Sequence, residues 1–287
     1  MNTRDIKGRI KSVTNIKQIT EAMKLVAAAR LRKAEEKAKG ARPYAEKIEE
    51  LIRRASAAAP DFKSPLFRQS EVKKTGYLII SSDKGLAGAY NSNVMKKTVS
   101  QIAGKPVDSF SLSVCGKQAR NYLKFRGYAI DSYRFGFSDK PTSLDAREVA
   151  KEATEWFLKE EVDEVYIIYT KFYTALRQEV TMSKLLPIDA PKAEEGDEGK
   201  FQQDYMFLPD AASVFSKLLP EYIEVQIYSA MLQSAASELG SRMAAMSAAT
   251  DNAAERINDL NLSYNKARQA QVTNEISEIV GGANALE

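Results

Sequence analysis

Both ends of this chain read as very long alanine-rich helices that place an apolar residue about every 3.5 positions. In the first arm Leu31, Ala34, Ala38, Ala41, Ala45, Ile48, Ile52 and Ala55 alternate steps of three and four, the rhythm of a coiled-coil seam. Ile6, Ile10, Val13, Ile16, Ile19, Met23 and Val26 extend it backward with tighter spacing. The last arm repeats the pattern through Leu232, Ala235, Leu239, Met243, Met246, Ala249, Ala253, Ile257, Leu260, Tyr264 and Ala267, with no proline after Pro220. Two such seams in one chain suggest mutual pairing, and charge favours it. Residues 1–60 carry 15 Lys or Arg against 7 Asp or Glu, a net +8, whereas residues 221–287 carry 4 against 9, a net −5.

Because both arms meet one central segment, the simplest pairing is antiparallel. At about 1.5 Å per residue the first arm would span about 80 Å and the last nearly 100 Å, so the C-terminus should overhang as a single helix. Seam positions are mostly alanine, which lets backbones approach closely and makes a slender shaft, with less apolar area buried per turn.

The segment between the arms alternates β-rich runs with helical stretches, the pattern of a βαβ sheet with crossover helices. Strands are expected at Tyr77–Ile80, Phe110–Cys115, Tyr128–Phe135 and Val165–Tyr169, with Gln178–Leu186 pairing as a hairpin and Tyr205–Leu208 closing the sheet. Helices are expected at Ser92–Ala103, Lys117–Phe125 and Leu144–Glu160. The polar, glycine-punctuated stretch Lys192–Lys200 reads as a surface loop, and Pro209 and Pro220 should frame a short helix before the final arm. The fold expected is α/β: a Rossmann-like domain at 70–209, flanked by helices at 1–58 and 210–287 that form an antiparallel coiled coil.

Composition narrows the function. The chain has no histidine, which removes the commonest general base and metal ligand. Its single cysteine, Cys115, lies in an apolar run and reads as a buried structural thiol. No apolar run reaches membrane-spanning length, and the polar N-terminal residues lack the apolar stretch of a secretory signal. The loop Ser81-Ser82-Asp83-Lys84-Gly85-Leu86-Ala87-Gly88-Ala89-Tyr90-Asn91, between strand and helix, could point amides at an anion. Its spacing matches neither the P-loop nor the dinucleotide fingerprint, and Asp83 would repel phosphate. Gly85 and Gly88 therefore read as structural glycines that permit a tight reversal. The basic run Arg30-Leu31-Arg32-Lys33, with Lys37, Lys39 and Arg42, could grip nucleic acid, but no aromatic residues interleave with it and the acidic opposite arm would neutralise it. A partner-facing helix surface is the better reading, and Met23, Met243 and Met246 read as packing.

The arms carry a resemblance. Ile16-Lys17-Gln18-Ile19-Thr20-Glu21-Ala22-Met23-Lys24-Leu25-Val26-Ala27-Ala28-Ala29 is similar to the N-terminal helix of the gamma subunit of rotary F-type ATP synthases. Ser263–Ala270 followed by Val272–Ala285 resembles that family's C-terminal signature, with fixed points at Thr273, Glu275, Glu278, Gly282 and Ala283, and Asp83–Gly88 resembles its central glycine loop. The similarity touches both arms and the middle in the right order.

That resemblance implies a non-catalytic central-stalk rotor without cofactor or metal. Its paired helices would enter a ring of alpha and beta subunits, and its central domain would stand on the c-ring beside epsilon, so membrane contact comes only through the c-ring. It implies that Met23 and Lys24 on the first arm, and Arg268, Gln269, Thr273, Glu275 and Glu278 on the last, are the residues meeting alpha and beta. No transit peptide is evident, so the expected location is the cytoplasmic side of a bacterial plasma membrane. Two alternatives from other classes are a scaffold or nucleic-acid-binding arm on an α/β body, and a nucleotide-using enzyme built on the glycine loop.

Overall fold

A computed structural model describes residues 3–58, 64–188 and 210–284. The chain divides into two compact units, Met1–Ala28 with Arg242–Glu287 and Ala29–Ser241, whose boundaries fall inside the two long helices α1 (Thr3–Ala58) and α5 (Ala211–Asn284).

The larger unit is built on a five-stranded sheet of order β3-β2-β1-β4-β5, from β1 (Thr75–Ile80), β2 (Phe110–Cys115), β3 (Ser132–Arg134), β4 (Glu164–Phe172) and β5 (Gln178–Leu186). The first four strands are parallel, and β5 returns antiparallel to β4 as the hairpin the sequence predicts. Helices α2 (Tyr90–Ile102) and α3 (Lys117–Phe125) make the crossovers to β2 and β3, and α4 (Ser143–Leu158) leads to β4. All six residues of β1 are buried because helices cover both faces of the sheet, which is why its sequence is apolar without alternation. Tyr77 and Ile79 pack in one layer with Val94, Met95 and Leu123. Leu78 and Ile80 face the other layer, with Ile52, Phe157, Phe215 and Ile223 from α1, α4 and α5.

Local chemistry sets the element ends. Thr142 and Asp145 form a reciprocal capping box that starts α4. Small residues let α5 lie against the β4–β5 hairpin: the Thr170 amide donates to Ser234 Oγ (3.3 Å), Ser237 Oγ donates to the Thr170 carbonyl (3.2 Å), and Ser241 Oγ donates to Gln178 Oε1 (2.6 Å). Cys115 is buried at the end of β2, and burial pushes its thiol up to about 12, which keeps it protonated and unreactive.

Three sequence expectations need correction or lie beyond view. Pro220 does not delimit a separate short helix; α5 runs through it from Ala211. Phe215, Leu219, Ile223 and Ile227 are all buried at four-residue spacing, so packing on the sheet continues across the proline and outweighs the one backbone bond it removes. The strand expected over Tyr128–Phe135 shrinks to Ser132–Arg134. There Asp131 takes over the pairing with β2: its amide donates to the Leu112 carbonyl (3.0 Å) and its carboxylate accepts from the Leu112 amide (2.8 Å), so a side chain replaces one rung of the ladder. The Lys192–Lys200 loop, the Tyr205–Leu208 strand and Pro209 lie outside the described residues. No helix among the described residues is long and apolar enough to cross a membrane.

Candidate functional site

In the smaller unit α1 and α5 pair antiparallel. Thr3 Oγ1 donates to Gln271 Oε1 (3.0 Å), and Thr20 and Thr250 share a buried hydroxyl–hydroxyl bond (2.8 Å). On α5 the seam runs through Met246, Thr250, Ala253, Ile257, Leu260, Tyr264 and Ala267, all buried or half-buried in alternating steps of four and three. On α1 the buried or half-buried positions at the same rhythm are Ile6, Ile10, Val13, Lys17, Thr20, Lys24 and Ala27.

This corrects the backward extension of the first seam. Ile16, Ile19 and Val26 are 50%, 58% and 52% exposed. At 100° per residue they form a stripe of their own beside the seam, while polar side chains occupy the seam itself. The apolar residues mark a surface turned outward, and the pairing beneath it is kept by hydrogen-bonded threonines and lysine stems. Ala249, half-buried, flanks the true seam position Thr250.

The residues implied by the resemblance fall into two groups. Met23 and Lys24 are half-buried on α1, and Lys24 is one turn beyond Thr20. Arg268, Gln269, Thr273, Glu275 and Glu278 are all exposed on α5. Register from the Thr20–Thr250 bond puts Lys24 at the level of residue 246, about 30 Å along the axis from Arg268. The two groups do not form one site. Within the second group, Arg268 and Glu275 are seven residues apart on one line of the helix, whereas Gln269 and Thr273 follow another, where the Thr273 hydroxyl donates to the Gln269 carbonyl (2.9 Å). The signature thus wraps around α5 instead of making a single face.

That wrapping matches its setting. Past the Thr3–Gln271 bond, from Val272 to Val280, every residue of α5 is exposed among the described residues. Val272, Ile276, Ile279 and Val280 are each about half exposed or more, at spacings of four, three and one that gather them into an apolar stripe. Exposed apolar stripes on a helix mark a surface that a partner covers.

The glycine loop is closed by its own side chains. Asp83 accepts from the Lys117 amide at the start of α3 (3.1 Å) and from the Gly136 amide after β3 (2.8 Å), and its own amide donates to Ser138 Oγ (3.1 Å). Asn91 Oδ1 accepts from the Ser82 amide (3.1 Å). The crevice at the carboxyl ends of β1, β2 and β3, where open α/β sheets receive ligands, holds the Asp83 carboxylate in the place a phosphate would take. Gly88 adopts φ 55°, as a tight reversal requires. Gly85 does not: a Cβ there would meet open space, and the left-handed residue beside it is Leu86, at φ 61°. Sequence reasoning saw Asp83 only as a repeller of phosphate; its anchoring role depends on Gly136, 53 residues away, and left no local signal. Asp83→Ala is expected to cost about 2 kcal/mol, two charge-assisted bonds lost, without touching the helical arms. Urea unfolding followed through Trp156, the only tryptophan, reads this body directly; an unchanged midpoint would refute the anchoring role.

Among the described residues no group of acidic or cysteine side chains converges as metal ligands.

Comparison with known proteins converges on one family. The profile of the family described as ATP synthase matches residues 2–286. The ATP synthase gamma chain of Heliobacterium modesticaldum is 46% identical over 99% of this chain and 98% of its own, and that of Brevibacillus brevis is 44% identical over 98% of each. Among solved structures, a chain from the central stalk and c-ring of the Tetrahymena thermophila mitochondrial ATP synthase is similar with a TM-score of 0.64 and 25% identity, covering 80% of this chain and 99% of that one. A chain of the Euglena gracilis mitochondrial ATP synthase shares the fold, with a TM-score of 0.68 at 16% identity over 99% of this chain and 94% of that one.

Proposed function

The chain belongs to the ATP synthase gamma-chain family, non-catalytic rotors of the central stalk, and from that premise we propose which of its surfaces meet the rest of the machine. The helices at 1–58 and 210–287 serve as the shaft and the segment 70–209 as the body. Alpha and beta subunits surround the paired helices; epsilon and the c-ring receive the central domain. The complex sits at the bacterial plasma membrane, with this subunit peripheral on its cytoplasmic side.

The observation that carries this reading is the end of α5, where the signature residues and the apolar stripe are exposed among the described residues. Arg268, Gln269, Thr273, Glu275 and Glu278 are proposed to meet alpha and beta there, with Met23 and Lys24 making a second zone of contact about 30 Å away along the axis. Charged and amide side chains suit this task because their bonds to carboxylates are strong when formed and yet exchange readily with water when exposed. Val272, Ile276, Ile279 and Val280 suit an apolar sleeve around the tip.

Coupling then follows from asymmetry. One shaft inside a threefold ring presents a different face to each catalytic site, so turning it shifts the balance of open and closed states at the three sites in sequence. Each proton contributes about 2.3 kcal/mol per 100 mV, so the shaft must hold the work of several crossings without unpairing. In the glycine loop the Asp83 carboxylate, held by the Lys117 and Gly136 amides, takes the place a phosphate would need, which disfavours an enzyme built on that loop.

The test is co-purification from cells expressing the whole operon. Alpha, beta and epsilon should elute with the tagged chain, and deletion of the last ten residues should weaken that assembly more than it slows turnover of the complexes that form. A chain recovered only as a free monomer overturns the assignment; complete loss of coupling with assembly intact overturns the role given to the tip.

A further inference from the structure

The basic run of the first arm has a use that the rotor reading does not supply. Its charges do not form one stripe: Arg32 turns toward Glu36 within α1 (3.4 Å), whereas Arg30, Lys33 and Lys37, at spacings of three and four, share another side of the helix. That side faces the turn Asp139-Lys140-Pro141 before α4. Arg30 Nη1 lies 2.7 Å from Asp139 Oδ2, and Lys84 Nζ reaches the same oxygen at 3.6 Å. Among the described residues Lys33, Lys37 and Lys140 have no ion-pair partner. Five cations thus gather around one carboxylate.

Like charges concentrate at a cost unless something answers them, and here Arg30, Lys33, Lys37 and Lys140 rim a hollow of about 90 Å³ with an apolar wall of Ala34, Pro141, Leu232 and Ala235. Leu232 and Ala235 are fully buried, so charges beside this floor act through a lower dielectric than charges on an open helix. The volume admits a six-membered ring or a short alkyl chain and falls well below the roughly 300 Å³ at which drug-sized and nucleotide sites begin.

We propose that this hollow binds a small organic oxyanion, with a phosphate or carboxylate head held by Lys33, Lys37 and Lys140 and an apolar group seated on Leu232 and Ala235. Asp139 holds back two of the five cations and so sets the affinity from within the site. Two features of the hollow therefore make opposite demands on a ligand, charge on one side and apolarity on the other, and neither inorganic phosphate nor a neutral aromatic meets both.

Titration of the full-length chain at low salt, followed by calorimetry, tests this with phenyl phosphate, benzoate, inorganic phosphate and benzyl alcohol as probes. Phenyl phosphate should bind several-fold more tightly than inorganic phosphate, benzoate should bind measurably, and benzyl alcohol should not bind. Replacing Lys33, Lys37 and Lys140 together with glutamine should weaken phenyl phosphate about tenfold, the sum of three partly exposed charge contacts. Asp139→Asn should tighten it, because removing the internal competitor frees Arg30 and Lys84. Circular dichroism melts establish that each variant is folded, and Lys37→Gln alone, at an exposed position, gives a milder weakening if the triple variant does not fold. Equal binding of phenyl and inorganic phosphate, or weaker binding by a folded Asp139→Asn, overturns the proposal.

Discussion

Gly116→Ala is expected to destabilise the α/β body by about 2–6 kcal/mol, lowering its melting midpoint by about 10 °C. Gly116 has φ 108° and ψ 142°, close to the region open in practice only to glycine, which costs another residue on the order of 1–3 kcal/mol. A Cβ there would also overlap the Ser81 carbonyl and Oγ. Ser81 cannot step aside: its amide and hydroxyl both donate to the Cys115 carbonyl (2.8 and 3.1 Å), and its hydroxyl accepts from the Ala119 amide (3.1 Å). Relieving the overlap means moving β1, β2 or the start of α3, a further overpacking cost of about 1–3 kcal/mol. Gly85→Ala is the matched control, with open space around the added methyl and no left-handed backbone to strain, and should be neutral or stabilising by up to about 1 kcal/mol. Trp156 fluorescence during urea unfolding compares the two, and similar losses for both would refute this account.

That pair also shows what local sequence can convey. Gly85 lies in a conspicuous glycine loop and invites a structural role, whereas Gly116 looks like any glycine between a strand and a helix; its left-handed backbone and its approach to Ser81, 35 residues earlier, leave no local signal. Strand β1 was legible because burial on both faces demands an unbroken apolar run, and β2, α3 and β5 were legible to their ends because their patterns stop where their packing stops. The buried face of the first arm was legible from Leu31 to Ala55, where every seam position is buried or half-buried. Before Ala27 the rule equating apolar with buried fails, because Ile16, Ile19 and Val26 are exposed and Lys17, Thr20 and Lys24 take the seam. Counting back in strict sevens from Ala27, through Thr20 and Val13 to Ile6, would have recovered it. The signature residues were recognisable by resemblance alone, since nothing in their composition distinguishes them from an ordinary solvated helix.

Leu260→Asp should unpair the arms, while Ile276→Asp, the same change from an aliphatic side chain to a carboxylate 16 residues later, should leave their pairing intact. Leu260 is 6% exposed within the seam, at the level of Ile10 and Val13 in the register set by the two cross-helix hydrogen bonds. A carboxylate there either stays buried without a partner, at a cost of several kcal/mol, or forces the helices apart. The surrounding seam cannot absorb that cost, because Thr250, Ala253 and Ala267 bury little area and each turn contributes only about 1–2 kcal/mol of apolar transfer. Ile276 is 56% exposed and lies past the level of Thr3, where the described part of α1 begins, so the pairing of the described helices does not depend on it. Limited proteolysis and helical circular dichroism of the purified chain should therefore show early cleavage and lost helicity for Leu260→Asp and a wild-type profile for Ile276→Asp. In the assembled complex the order of symptoms differs. Leu260→Asp should retain ATP hydrolysis but lose most ATP-driven proton pumping, since a single helix twists where two paired helices transmit, whereas Ile276→Asp should reduce the yield of assembled complex by placing a charge against the sleeve proposed to surround it. Full pumping by Leu260→Asp would mean that torque does not depend on the paired seam, and the central physical premise of a stiff two-helix shaft would fail with it.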